Sequence, residues 1–577
     1  MPDWFYRTAA RPALFALPSP TARALALGLI GGLGRTRSGR AVIEFLGHMA
    51  PDPRLTTKIA DLRLPSPIGL GWRVDPEQRA TLGLSHFGVG CMELLDAPPR
   101  CVRRDEDETL VDAASPRGGV YSQSKHADVP VPLLRRRIKP DGRESLELRP
   151  GFSLAVLPWD TPVRPQECDA GLVLQVGLRL PEGGWRVPAS PPATLANRVR
   201  EWRKHLTADA PLVVAGGVAG PEDAVALVKA GANLVLVDAG LVFRGPGLVK
   251  RCNEALLAGL PPLGGAPSAE PNRLRRAWPW AAGLGVGLFV GGLATAWLAF
   301  GRVLLPYDEH YLGLSADALR LGLPRLFAFM AHDRGTLAGT MLGLGGLYAV
   351  LGWYGLRRGI HGAKTAVVAS ALTGFASFFS FFGFGYFDTL HAFVALLLFQ
   401  LTTQIMTGSE AGPANDSATI DREDAAWRLA QWAQLLWLVH AAGLLLAGVV
   451  ILSIGMGSVF VSEDLAFLCL TPEQAAELGP RLRGVVAHDR ATLGGMLLAS
   501  GVAMLLAVLW CFRRAASWLW HGVLVLGAPA YAAAIGVHLW VGYLDLRHLL
   551  PAFAGLALWA LGLALGRGHL VPRRETA

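Results

Sequence analysis

From Trp278 to the C-terminus the chain carries eight apolar stretches, each near the roughly 20 residues that a helix needs to cross a bilayer. They fall at about 279–300, 335–356, 364–384, 390–406, 430–456, 491–511, 518–540 and 548–566. No water reaches the backbone inside a bilayer, so each stretch must satisfy its own hydrogen bonds and is expected to be a helix. The whole-chain averages, 52% apolar and 17% charged residues, blend this half with a polar first half that obeys different rules. An all-α transmembrane domain of about eight helices is therefore expected to follow an N-terminal α/β domain, joined across 259–278 by a run rich in Gly, Pro and Ala.

The arginines set an expected orientation. Arg273, Arg275 and Arg276 precede the first span, Arg357 and Arg358 follow the second, Arg513 and Arg514 the sixth, and Arg567, Arg573 and Arg574 the last. With every span crossing, all lie on one side, which the positive-inside bias makes the cytoplasm. The N-terminal domain and the C-terminus are expected on that side of the cell membrane. The same arginines account for the net charge of +9 and suit an anionic lipid leaflet. No basic patch is interleaved with aromatics, so nucleic acid is not an expected partner. Cys91, Cys101, Cys168, Cys252, Cys469 and Cys511 have no metal-ligand spacing and imply neither a metal nor disulfides.

Within the apolar half the sequence returns on itself. Ala331-His332-Asp333-Arg334 recurs as Ala487-His488-Asp489-Arg490, at an offset of 488 − 332 = 156. Gly385-Tyr386-Phe387-Asp388 with His391 recurs as Gly542-Tyr543-Leu544-Asp545 with His548, at 548 − 391 = 157. Two four-span repeats, 279–406 and 430–577, are expected around a connector at 407–429. An even span number gives both the same orientation and a pseudo-twofold along the membrane normal. Each repeat is expected to gather its own polar set: His332, Asp333, Arg334, Asp388 and His391 in one, His488, Asp489, Arg490, Asp545 and His548 in the other.

Three uses of such a set compete. Asp at a helix start caps it, a neighbouring Arg pairs with it, and Tyr and His suit a span end. Ionisable groups near the membrane also relay protons or hold a quinone head. Two His with carboxylates also suit a transition metal or haem iron. His440 and His538 have no repeat partner, and interhelical hydrogen bonds are expected of both. The loops 305–317 and 460–473 correspond as well, each with two adjacent acids and a helix start capped by Ser315 or Thr471.

The first half is legible at its end. Residues 211–247 read PLVVAGGVAGPEDAVALVKAGANLVLVDAGLVFRGPG: a strand, a helical run from Pro221, and a second buried strand. In (β/α)8 barrels the loops after strands seven and eight cradle phosphate on backbone N–H groups. Gly216, Gly217, Ala239 and Gly240 are the cofactor-binding candidates. Residues 64–93, LPSPIGLGWRVDPEQRATLGLSHFGVGCME, read strand, turn, helix, strand. Before them Arg7 and Arg11 stand beside an apolar stretch broken by Pro18 and Pro20, the pattern of an interfacial helix pair within 1–50, or of an amphipathic helix capping the barrel floor, rather than a signal peptide.

These segments together resemble the class 2, membrane-associated dihydroorotate dehydrogenases over about residues 1–258. The resemblance implies a TIM-type barrel at 51–258 holding FMN. It also implies N-terminal helices that admit a quinone, and oxidation of dihydroorotate or a related small substrate in pyrimidine biosynthesis. The family's Asn-x-Ser-Ser-Pro-Asn-Thr loop has no counterpart here, Val74-Asp75-Pro76 replaces Phe-Asp-Lys, and Leu94-Leu95-Asp96 replaces Val-Gly-Thr. Asp238 stands at the phosphate cradle, where a carboxylate repels an anion unless Arg244 or Arg251 compensates. No catalytic residue is assigned. About 115 residues separate Leu95 from Pro211, against four strand–helix units of roughly 30 each, so an incomplete barrel is expected. Two functions remain: a membrane-bound, quinone-linked flavoprotein oxidoreductase, or a non-catalytic barrel fused to a membrane transport, sensing or scaffold domain.

Overall fold

The computed structural model describes residues 3–47, 49–96, 100–105, 107–114, 128–139, 141, 143–163, 171–181, 184–259, 276–383, 386–409 and 423–572. The run 260–271, Cys168, Gly385 and the arginines 273, 275, 573 and 574 lie outside them. The chain divides into two compact units, Met1–Gly264 with Asn415–Trp427, and the remainder.

The first unit is built on a closed barrel of eight strands. In chain order these are β1 (Ile68–Leu70), β2 (Met92–Asp96), β3 (Leu133–Ile138), β4 (Glu144–Arg149), β5 (Phe152–Pro158), β6 (Leu172–Gln175), β7 (Leu212–Ala215) and β8 (Leu234–Val237). Neighbours in the chain are neighbours in the barrel, and β8 closes on β1. The expectation of an incomplete barrel is thus corrected. Its premise of four strand–helix units fails because β3, β4 and β5 form an antiparallel meander, while the other neighbouring strands pair in parallel. Lys139 N–H donates to the Arg143 carbonyl at 2.8 Å across the first hairpin, and Gly151 turns the second at φ +81°. Each hairpin takes a few residues where a parallel crossover needs about a dozen or more.

Strands β6, β7 and β8 read LVLQ, LVVA and LVLV and are buried throughout. That is the pattern of parallel strands covered on both faces. Helices Leu195–His205, Pro221–Lys229 and Leu248–Ala258 supply the cover. A separate four-stranded antiparallel sheet is assembled from Arg100–Asp105 and Thr109–Ala114, which follow β2, and Leu178–Arg179 and Trp185–Pro188, which follow β6. Both insertions leave the carboxyl ends of barrel strands, so this sheet stands at the mouth where such barrels do their chemistry.

Near the N-terminus, helices Ser19–Arg35 and Arg37–Gly47 follow a helical run that ends at Phe15. Gly31 and Gly34 press on the barrel: a Cβ at Gly31 would lie 2.4 Å from the Arg79 carbonyl oxygen, and one at Gly34 2.6 Å from the Gly83 nitrogen. Leu25 and Leu29, on the opposite face, are exposed.

In the second unit, eight helices among the described residues are long and apolar enough to cross a membrane. They are α1 (Ala277–Phe300), α2 (Pro324–Val350), α3 (His361–Ala376), α4 (Thr389–Thr407), α5 (Ala425–Met456), α6 (Pro480–Cys511), α7 (Ser517–Val541) and α8 (Leu546–Leu570). Small residues let backbones approach. A Cβ on Gly292 or Gly345 would lie 2.9 Å from Leu342 N or 2.6 Å from Phe289 N, between α1 and α2. Counting on 156 gives Gly448 and Gly501, whose Cβ atoms would lie 2.8 Å from Leu498 N and 3.0 Å from Leu445 N, between α5 and α6. Ser315 and Thr471 cap short helices by accepting from Ala318 N–H and Gln474 N–H.

One placement needs correcting. Helices α2 and α6 start at Pro324 and Pro480, well before the apolar stretches at 335 and 491. His332, Asp333 and Arg334, with His488, Asp489 and Arg490, therefore lie inside their helices, about 12 Å along the axis from the first residue. They are not caps. The charged triplet lowers local hydropathy, so an apolar run appears to begin only after it.

Candidate functional site

Among the described residues, each unit holds a buried polar cluster built from several helices or strands. In the barrel, Glu93 of β2, Arg136 of β3, Glu144 of β4 and Gln175 of β6 meet Arg73, which follows β1, Asp238, which follows β8, and Asp112 of the added sheet. Arg73 Nε donates to Asp112 at 2.6 Å, and its Nη1 donates to Asp238 at 3.1 Å and to Gln175 at 3.3 Å. Arg136 donates to Glu93 at 3.1 Å, to Glu144 at 2.9 Å and to Gln175 at 2.9 Å. Trp185 of the added sheet closes the set with a 2.8 Å bond from Nε1 to Glu144. The Arg73, Asp112, Asp238, Arg136 and Glu93 side chains are all 0% exposed. Burial pushes the Glu93 and Asp238 carboxyls up, against the pull of Arg136 and Arg73. Burial also acts upward on Glu144, but Arg136, Arg73 and the Trp185 bond outweigh it and hold it below the ordinary glutamate value.

The mouth does not fit FMN. A carboxylate stands at the cradle, and it turns to Arg73; the compensation expected from Arg244 or Arg251 goes elsewhere. Arg244 pairs with Glu108 at 2.7 Å and Arg251 with Asp3 at 3.2 Å. The candidate glycines serve the chain's own packing. Gly216 and Gly217 adopt φ +86° and +69°, which glycine permits at little cost. A Cβ on Gly240 would lie 1.8 Å from the Val218 carbonyl oxygen, and Ala239 is fully buried.

In the second unit the polar residues cross between the halves instead of gathering within each. Arg334 of α2 donates to Asp489 of α6 at 2.8 Å, and Arg490 of α6 donates to Asp333 of α2 at 3.3 Å. Each arginine also reaches an acid in its own half, Asp308 at 3.1 Å and Asp464 at 2.8 Å. Tyr386 donates to Asp308, and Tyr543 to Asp464 at 3.0 Å. Burial and the adjoining carboxylates push both phenols well above their ordinary range, so they remain donors. The histidines cross too. His391 of α4 meets His488 of α6 at 3.3 Å, and the His548 ring of α8 lies 5.9 Å from that of His332 in α2. The expectation that each repeat gathers its own set is corrected on this point. Helices α2 and α6 pack on one another. Their equivalent residues therefore face the opposite half.

Asp388 and Asp545 do cap their helices, accepting His391 N–H and His548 N–H at 2.8 Å. Asp388 also accepts from Tyr307 Oη at 2.8 Å. His440 bonds across helices to Tyr531 Oη at 2.5 Å, as expected of an isolated intramembrane histidine. His538 Nε2 instead faces His332 Nε2 across helices, at 3.0 Å. Beside Asp388, His391 and His488 opens a cavity of about 390 Å3. Leu284 and Leu288 of α1, Met341 of α2, Phe375 of α3 and Leu398 of α4 line its apolar part, while Tyr307 and Arg334 share its polar end.

Sequence reasoning missed Arg73, Asp112, Glu93, Arg136, Glu144 and Gln175, which share no motif and meet only through barrel closure. It matched the loops that hold Asp308 and Asp464 but assigned neither acid to a cluster, although 464 − 308 = 156, the offset of the His-Asp-Arg triplet.

No protein-family model matches the chain. A quinone dihydroorotate dehydrogenase of Paracidovorax citrulli is 40% identical over 83 residues, 14% of this chain and 23% of that protein. One from Sphingopyxis alaskensis is 24% identical, spanning 43% of this chain and 90% of that protein. The crystal structure of the Eimeria tenella dihydroorotate dehydrogenase with ferulenol aligns at 16% identity and a TM-score of 0.31, covering 42% of this chain and 94% of that one. The chain thus spans only about a quarter of the first of these relatives. Part of the chain is divergently similar to proteins that carry the name quinone dihydroorotate dehydrogenase.

Proposed function

We propose that this chain is a membrane protein whose working site lies in the second unit, where two duplicated four-helix halves bind a quinone-type amphiphile, and that the barrel is a non-catalytic module. The observation that carries the reading is the cavity of about 390 Å3 that is apolar along α1, α3 and α4 and ends on Asp388, His391, His488 and Arg334. Its volume is in the range of small-molecule sites, and its division into apolar wall and few polar groups is what an isoprenoid-tailed head needs. Helix α4 is its thin wall, which also exposes Phe393, Leu396 and Leu397. The Asp489–His488–His391 chain can shift its protons, so the same end serves a carbonyl head as donor or a hydroxyl head as acceptor.

The test is equilibrium binding of a short-chain ubiquinone to the detergent-solubilised protein, followed by tryptophan fluorescence. Wild type is expected to bind, and His391→Ala and Leu288→Trp to weaken binding at least tenfold. Absence of binding by wild type, for both ubiquinone and menaquinone analogues, defeats the reading.

A second reading is oxidation of dihydroorotate through FMN, with quinone as acceptor. Its support is the similarity to proteins carrying that name, over 43% of this chain. The charge-paired mouth weighs against it. A visible absorption spectrum decides: FMN retained at about one per chain overturns the non-catalytic barrel.

A further inference from the structure

Three histidines converge inside the second unit, away from the cavity just described. His332 of α2, His538 of α7 and His548 of α8 each bring a ring nitrogen within 4.8 Å of the other two. His332 is 4% exposed and His538 5%. The hydrogen-bond partners fix where the ring protons sit. His332 Nδ1 lies 3.0 Å from the Asp333 carboxylate, and His538 Nδ1 bonds to the Ala534 carbonyl oxygen. A carboxylate and a backbone carbonyl only accept, so each Nδ1 carries its ring's hydrogen. With one hydrogen on each ring, the Nε2 atoms are then both lone-pair bearers, and they face one another across 3.0 Å.

Two lone pairs so placed repel, and a cation between them reverses the sign. A tetrahedral ion with metal–nitrogen bonds of about 2.0–2.1 Å holds its nitrogens about 3.3 Å apart, a small opening of the present geometry. The carboxylate behind His332 is the arrangement that orients metal-binding imidazoles, and Arg490 fixes that carboxylate in turn at 3.3 Å.

The other half supplies an internal control. There His488 Nδ1 meets Asp489 at 3.1 Å, but its Nε2 faces His391 Nδ1 at 3.3 Å, so one ring's N–H can donate to the other's lone pair. No cation is needed. The difference comes from His538: counting back 156 or 157 residues from it reaches Phe382 or Phe381.

We propose that His332, His538 and His548 bind one first-row transition-metal ion of the zinc, copper or iron class, the ions that imidazole nitrogen suits. Three protein nitrogens leave a fourth position for water or another small ligand. This site uses different histidines from the quinone-type reading and stands or falls separately.

The experiment is metal analysis of full-length protein purified in detergent without chelator, then stripped and reloaded with Zn2+ or Co2+. About one ion per chain is expected in wild type and in His391→Ala, with at least a tenfold loss in His538→Phe and His548→Ala. X-ray absorption of the loaded wild type, which does not depend on any variant folding, is expected to show a three-imidazole shell. No uptake of either ion by wild type overturns the proposal, as does uptake undiminished in His538→Phe, or a shell without imidazole. Those results would leave a shared proton between the two rings.

Discussion

The barrel mouth and the middle of the membrane unit both bury arginines among carboxylates, and by burial alone they look alike. They differ in what remains to be bonded. In the mouth, Arg73 and Arg136 are shared among Asp112, Asp238, Glu93, Glu144 and Gln175, and the added sheet lies over them with Trp185 bonded into the set. In the membrane unit, Arg334 and Arg490 are equally committed, but the histidines beside them border a cavity and leave nitrogens facing each other. Buried charge density therefore does not mark a working site; residual ligand capacity with space to use it does. The paired arginines act in both places as scaffolding, since a buried ion pair costs much to break even where it adds little net stability.

The largest expected effect is at the crossed pairs. Arg334→Leu leaves Asp489 and Asp308 buried without their cation, and should cost about 3–5 kcal/mol, read as a fall in thermal stability in detergent. Arg334→Leu with Asp489→Leu should recover part of that loss, because both charges of one pair are then gone. Recovery by the double variant separates scaffolding from a direct ligand role. Unchanged stability in the single variant would break the comparison on the membrane side.

Next in size is the barrel network. Glu144→Gln should destabilise the first unit by about 3 kcal/mol at neutral pH, read as faster hydrogen exchange in β4. The folded Glu144 value lies below the ordinary one, so its contribution is complete above the ordinary glutamate pKa and is lost as pH falls through the lowered value. The gap between wild type and variant should therefore narrow below about pH 4. Ubiquinone binding should not change at all; a change would show the two sites to be coupled.

The parts of this division that were legible in the sequence are those carried by local pattern. Eight apolar runs, the buried strands LVVA and LVLV, and the caps Ser315 and Thr471 all follow from spacing along the chain. Barrel closure was not legible, because a hairpin such as Lys139–Arg143 saves a crossover without any helical signal. Nor was the exchange of partners between halves. The sequence offset pairs His332 with His488 as equivalents, yet equivalents need not touch, and each finds its histidine neighbour in the opposite half. His538 has no match at 156 and so looks solitary along the chain, yet it is this mismatch that sets the two halves apart.

The smallest expected effects fall at the two helix caps outside the spans, where the halves can be compared without touching a charge. Ser315 accepts from Ala318 N–H at 3.1 Å and Thr471 from Gln474 N–H at 3.3 Å. Losing either to Ala should cost about 1 kcal/mol, the usual worth of such a cap. Thr471 sits in a reciprocal box, since Gln474 Oε1 accepts the Thr471 N–H in return at 2.9 Å. The Thr471→Ala variant keeps that second bond, so its loss should not exceed that of Ser315→Ala. A markedly larger loss at 471 would mean that its short helix bears load which its counterpart does not, and the two halves would differ here as well as at His538.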